Sequence, residues 1–147
     1  MGNEIKLEMD ALPENEGFAR VAVAAFVTPL NPTMEEISDV KTAVSEAVTN
    51  AVIHAYEEKG GTIRIRCSLE GDLLHMESED VGKGIPDVKL AMEPLFTTRP
   101  DLERSGMGFA FMEAFMDGLE VESSPGKGTK VIMEKKLGNA PWVPCEE

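Results

Sequence analysis

Near its start the chain alternates, with apolar Ile5, Leu7 and Met9 separated by polar Lys6 and Glu8. A period of two puts every apolar side chain on one side of an extended segment, so a strand with one buried face is predicted. From residue 15 the period lengthens. Phe18, Val21, Ala22, Ala25 and Phe26 recur at helical spacing and predict a helix over residues 15 to 30, ended by Pro29 and Pro32. Thr33 followed by Glu36 is a capping box that opens a second helix. That helix is expected to reach about Glu58, carrying Ile37, Val40, Val44, Ala47, Val48, Ala51 and Ala55 on one face, until Gly60-Gly61 breaks it.

Two strands follow, Thr62 to Leu69 and Leu73 to Glu79, joined by the hairpin turn Glu70-Gly71-Asp72. Pro86 is placed in the first turn of a short helix ending at Met92, and Pro94 to Arg104 reads as a long loop. Met107 to Met116 is helical in pattern. Leu119 to Ser123 and Thr129 to Lys135 are strands around the turn Pro125-Gly126-Lys127-Gly128. Helices come early and strands late, so the expected class is α+β. The architecture is a two-layer sandwich, with a mixed, mostly antiparallel sheet covered on one face by helices. The domain is taken as residues 1–137, with 138–147 as a loosely ordered tail.

Length and composition narrow the class. At 147 residues, 42% apolar and 28% charged, the chain suits one globular domain. It holds no apolar run long enough for a membrane span, and its start has neither the basic nor the apolar region of a secretory signal. Gly2 invites a lipidation reading, but Lys6 stands where that motif needs Ser or Thr. Cys67 and Cys145 form neither a framework nor a C-x-x-C pair, which suits a reducing cytoplasm. A net charge of −13 argues against nucleic acid as a partner. It would steer in a basic protein, or it serves only solubility.

Four segments could carry chemistry. Glu46, Asn50 and His54 form a stripe at i, i+4 and i+8 on the long helix, offering a carboxylate base and a neutral oxygen suited to Mg2+. A solvated helix face explains the same stripe. Asp80-Val81-Gly82-Lys83-Gly84 follows a strand, so its carboxylate could read an exocyclic amine while the backbone approaches a flat ring. A tight turn also explains both glycines. Arg104-Ser105-Gly106-Met107-Gly108 opens a helix where N–H groups could meet phosphate, with Thr97, Thr98 and Arg99 upstream. Arg104 alone would read as a surface arginine. Gly126-Lys127-Gly128-Thr129 looks like a P-loop but lacks its frame, and is a hairpin turn with Thr129 directed inward.

The order of these segments is specific. E-x-x-x-N on a helix, D-x-G-x-G after a strand, a Thr-rich loop into G-x-G, and G-T in a terminal hairpin resemble the GHKL ATPase superfamily from Ile5 to Lys136. Within it, Glu46-Ala47-Val48-Thr49-Asn50-Ala51, Pro94-Leu95-Phe96-Thr97-Thr98 and Leu102-Glu103-Arg104-Ser105-Gly106-Met107-Gly108-Phe109 are similar to the anti-sigma F serine kinases of spore-forming bacteria. So are Phe18-Ala19-Arg20 and Ala24-Ala25-Phe26-Val27.

The resemblance implies a Bergerat-type fold binding ATP or ADP with Mg2+, a homodimer, and two protein partners. One is sigma F, kept from RNA polymerase; the other is an anti-anti-sigma factor, phosphorylated on serine. It further implies Glu46 as general base, Asn50 as magnesium ligand and Asp80 as adenine reader. Gly82, Gly84, Thr97, Thr98, Ser105, Gly106, Met107, Gly108 and Thr129 would touch nucleotide, Arg104 phosphate and partner, and Arg20 a partner. Rival readings are a stress-response anti-sigma kinase, a non-catalytic nucleotide-dependent module, and a detached histidine-kinase ATPase. The last lacks a suitably placed acceptor among His54 and His75.

Overall fold

The computed structural model describes residues 2–92 and 108–138. Its elements are β1 (Asn3–Asp10), α1 (Asn15–Val27), α2 (Met34–Asn50), β2 (Thr62–Glu70), β3 (Leu73–Asp80), α3 (Val88–Ala91), α4 (Gly108–Phe115), β4 (Gly118–Ser124) and β5 (Gly128–Lys136). The strands form one sheet in the order β1-β2-β3-β5-β4. The two-layer α+β sandwich is present. Every strand pair described is antiparallel, so the parallel share of the expected mixture is not seen. Hairpin connections at Gly71-Asp72 and at Pro125-Gly126-Lys127 dictate this for β2–β3 and β4–β5, because a short turn can only reverse a strand.

Alternation explains the two faces of the sheet. Ile63, Ile65 and Cys67 of β2, Leu74 and Met76 of β3, and Val131 and Met133 of β5 are buried under the helices. Leu137, just past β5, is fully buried with them. Burial pushes the Cys67 thiol up to about 12, so it stays protonated and acts as a small apolar side chain.

α2 begins at its predicted cap. Thr33 Oγ1 accepts from the Glu36 N–H at 3.0 Å and the Thr33 N–H donates to Glu36 Oε1 at 2.8 Å. The helix does not run evenly to Glu58. Over Ala51–Ala55 it widens into a π turn, and Glu57 and Glu58 then take left-handed φ values of 49° and 64°. The buried face of α1 also departs from the predicted stripe. Ala19, Val23, Ala24 and Val27 face the core, while Phe18 and Val21 are 60% and 62% exposed. α1 is apolar on more than one side; it packs on α2, and its buried side chains are all Ala or Val. α3 starts later than Pro86, because Asp87 caps it by accepting from the Leu90 N–H at 3.1 Å.

α4 is held from its C-terminal end. Buried Lys135 donates to the Phe115 carbonyl at 2.7 Å and lies 3.6 Å from Asp39 of α2. A cation there favours the helix dipole and links α4 to α2 through the sheet.

The opposite face of the sheet is polar, with Glu77 at its centre. Arg66, His75 and Lys130 all reach the Glu77 carboxylate. Burial raises its pKa, but hydrogen bonds from Arg66 and His75 and the charges of Arg66 and Lys130 outweigh that and bring it down to about 2. A carboxyl with a depressed folded pKa stabilises the fold above its unfolded value of 4.5 and loses that share as the pH falls towards 2. Glu77→Gln should therefore cost roughly 1 kcal/mol at neutral pH, with the difference closing as the pH is lowered through this window. Urea melts of both proteins at several pH values measure it; a pH-independent difference would contradict the network.

Candidate functional site

The end of α2, the bend after β3, the start of α4 and the β4–β5 hairpin enclose a pocket of about 330 Å³. Asn50, His54, Asp80, Gly84, Gly108 and Thr129 are among its lining residues. A volume of this size suits a small organic ligand.

At one end lies Asp80, the last residue of β3. Its Oδ1 accepts from the Gly82 N–H at 3.0 Å and from the Thr129 N–H at 3.2 Å. No hydrogen bond from the described residues reaches Oδ2. The bend that follows is pressed onto the π turn of α2. The Lys83 N–H donates to the Ala55 carbonyl at 3.0 Å, and a Cβ at Gly82 would stand 2.4 Å from that same oxygen. Gly84 has φ +79° and its missing Cβ would overlap the Ser124 carbonyl at 2.0 Å, so only glycine fits there. The glycines thus serve the tight turn and let the bend pack against the Ala55 and Ser124 carbonyls.

Asn50, a lining residue, and Glu46, one helical turn before it and not itself among the lining residues, both face the first turn of α4. A Cβ on Gly108 would lie 3.1 Å from both Glu46 Oε2 and Asn50 Oδ1. Asn50 Nδ2 is buried and has no hydrogen-bond partner among the described residues. A buried amide left unpaired costs free energy, so this atom fits a site completed by a bound group. No three His, Cys, Asp or Glu side chains cluster around a possible metal position among the described residues. A magnesium ion here would rely on the Asn50 amide and on oxygens of a ligand, which suits its reluctance to shed water.

Thr129 is buried and faces the pocket as its strand position predicted. Lys83 lines the pocket and pairs with Glu57 at 3.4 Å, while Lys130 points to the open sheet face. Arg20 lies outside the pocket, exposed on α1 and 3.7 Å from Glu16. Thr97, Thr98, Arg104, Ser105, Gly106 and Met107 lie outside the described residues. Two contributors escaped the sequence reading. Tyr56 Oη donates to the Thr62 carbonyl at 2.7 Å and accepts from the Val81 N–H at 2.8 Å, fastening the end of α2 to the strand that carries Asp80. Ser123 contacts Ile85, Gly128 and Thr129 from behind the pocket wall. Its position opposite Thr129 in the terminal hairpin was the available signal.

Comparison with known proteins shows the family to which this fold belongs. The model of the histidine kinase-like ATPase domain matches residues 9–135. The anti-sigma F factor of Clostridium acetobutylicum is 60% identical over 135 residues, covering 92% of this chain and 94% of that one. The anti-sigma F factor of Bacillus licheniformis is 51% identical over 141 residues, covering 95% and 97%. Among solved structures, the RsbU and RsbW domains of a Mycobacterium tuberculosis protein superpose with TM-score 0.65 at 20% identity, over 92% of this chain and 32% of that one. The solved neighbour supports the fold.

Burial pushes the Asp80 carboxyl above its ordinary value, with the Gly82 and Thr129 N–H groups pulling part of the way back. A raised folded pKa means that its favourable share is complete below the unfolded pKa and is lost as pH rises through the folded one. Its charge therefore weighs against the folded protein at neutral pH. Asp80→Asn keeps an oxygen for both N–H groups, so its Tm at pH 7 should equal or exceed that of the parent. The gap should narrow in acid. A marked loss of Tm at neutral pH would contradict this assignment.

Proposed function

Because the chain belongs to the anti-sigma F factors within the histidine kinase-like ATPase family, we propose that it has two linked activities. One is ATP-dependent phosphorylation of an anti-anti-sigma factor on serine. The other is capture of sigma F away from RNA polymerase. The observation that carries the enzymatic part is a pocket lined by both Asp80 and Asn50, whose buried amide nitrogen has no hydrogen-bond partner among the described residues, with Glu46 beside the lining Gly108.

In this reading adenine lies against Asp80, whose Oδ2 accepts from the exocyclic amine. The triphosphate extends towards α4, where the N–H groups of the first turn and the helix dipole favour negative charge. Asn50 would hold magnesium together with phosphate oxygens, and Mg2+, when bound, screens the charge on the γ-phosphate. Glu46 accepts the proton of the substrate serine as its Oγ bonds to the γ-phosphorus. The bond from that phosphorus to the β–γ bridging oxygen breaks, and ADP leaves. By the resemblance of their segments, Thr97, Thr98, Ser105, Gly106, Met107 and Arg104 complete the phosphate side.

Arg20, exposed on α1, and Arg104 are the proposed protein-partner contacts. The exposed Phe18 and Val21 on α1 supply an apolar surface for self-association as a homodimer. A net charge of −13 would speed encounter with a basic surface on a partner. The proposed location is the cytoplasm. No helix among the described residues is long and apolar enough to cross a membrane.

Glu46→Gln separates catalysis from binding. Phosphate transfer to a purified anti-anti-sigma protein, followed by mass measurement, should fall by about 100-fold or more. Calorimetric ATP affinity should stay within a few-fold of the parent. Transfer at the parent rate would remove Glu46 from the reaction. Loss of transfer and binding together would make it a structural residue instead.

A further inference from the structure

Ser123 on β4 sits at the centre of three short contacts. Its Oγ accepts from the Ile85 N–H at 2.7 Å, lies 3.0 Å from the Gly128 carbonyl oxygen, and lies 2.8 Å from Thr129 Oγ1. A serine hydroxyl has one proton and two lone pairs. A carbonyl can only accept, so the Ser123 proton belongs to Gly128. The Ile85 N–H takes one lone pair. The remaining lone pair can meet Thr129 only as an acceptor, so Thr129 must give up its own proton to Ser123.

That proton count fixes how Thr129 faces the pocket. Thr129 is buried, lines the cavity, and has no second hydroxyl proton to offer. What it presents is lone pairs. Thr129 is also the cross-strand partner of Asp80, whose Oδ2 is an acceptor on the same wall. We infer that Ser123 is a positioning residue for purine selectivity: by holding the proton of Thr129 it makes the Asp80–Thr129 wall an acceptor-only surface. Such a surface matches the two N–H bonds of a 6-amino group. It opposes the lone pairs of a 6-oxo group, since an unmatched buried polar contact is far more costly than a matched one is favourable. Ser123 does not line the pocket, and acts through Thr129 alone. The inference rests on the nucleotide reading above.

The test compares ATP with inosine triphosphate, which carries the 6-oxo group, by calorimetry on the full chain with magnesium. The parent should prefer ATP. Ser123→Ala frees the Thr129 proton to rotate towards a carbonyl, so the ATP-to-inosine-triphosphate preference should fall by about tenfold. Ser123→Thr keeps a hydroxyl in place and should retain the preference. A role confined to structure would weaken both nucleotides alike and leave the ratio unmoved, and that result overturns the inference while the nucleotide reading survives. If the parent binds neither nucleotide, both fall. Should Ser123→Ala not fold, Ser123→Cys, whose thiol accepts poorly, carries the same comparison with the same expected loss of preference.

Discussion

Asp80 accepts two backbone N–H groups from parts of the chain far apart in sequence, Gly82 in its own bend and Thr129 across the sheet. Both land on Oδ1. That leaves a carboxylate whose position is fixed by the backbone on two sides and whose second oxygen has no bond from the described residues. The bend is in turn pinned to the π turn of α2 through Lys83 and Ala55, and through the hydroxyl of Tyr56. The bend that carries Asp80 and the helix that carries Glu46 and Asn50 are thus joined by one set of hydrogen bonds. Such pre-organisation reduces what ordering the ligand costs on binding.

Much of this was legible because period and capping chemistry act locally. The alternation of β1, the capping box at Thr33 and Glu36, and the two hairpin turns gave the elements, and their order pointed to the family. The misread features depend on tertiary packing. Phe18 and Val21 lie at helical spacing with Ala22 and Ala25, yet the side of α1 that tertiary packing buries carries Ala19, Val23, Ala24 and Val27. No apolar period reveals that α2 widens over Ala51–Ala55, which delivers the Ala55 carbonyl to the Lys83 N–H. Within the site, motif spacing named Glu46, Asn50, Asp80, Gly84, Gly108 and Thr129, whose side chains or backbone converge. It passed over Tyr56 and Ser123, whose value lies in a hydroxyl bridging segments distant in sequence.

The sheet separates two kinds of chemistry. Under the helices, apolar side chains, a protonated Cys67 and the pocket share one low-dielectric layer, where a carboxyl such as Asp80 rises in pKa. On the open side, Glu77 is surrounded by Arg66, His75 and Lys130 and falls instead. Residues one apart on a strand therefore meet opposite electrostatics, as Thr129 and Lys130 do.

Backbone amide NMR on the folded chain, titrated with ATP and magnesium, tests most directly whether the pieces form one site. The account predicts that Gly82, Gly84, Gly108 and Thr129 shift together along one binding curve while Arg66 and Glu77 stay still. Shifts confined to the open sheet face, or none at any of the four, would contradict it.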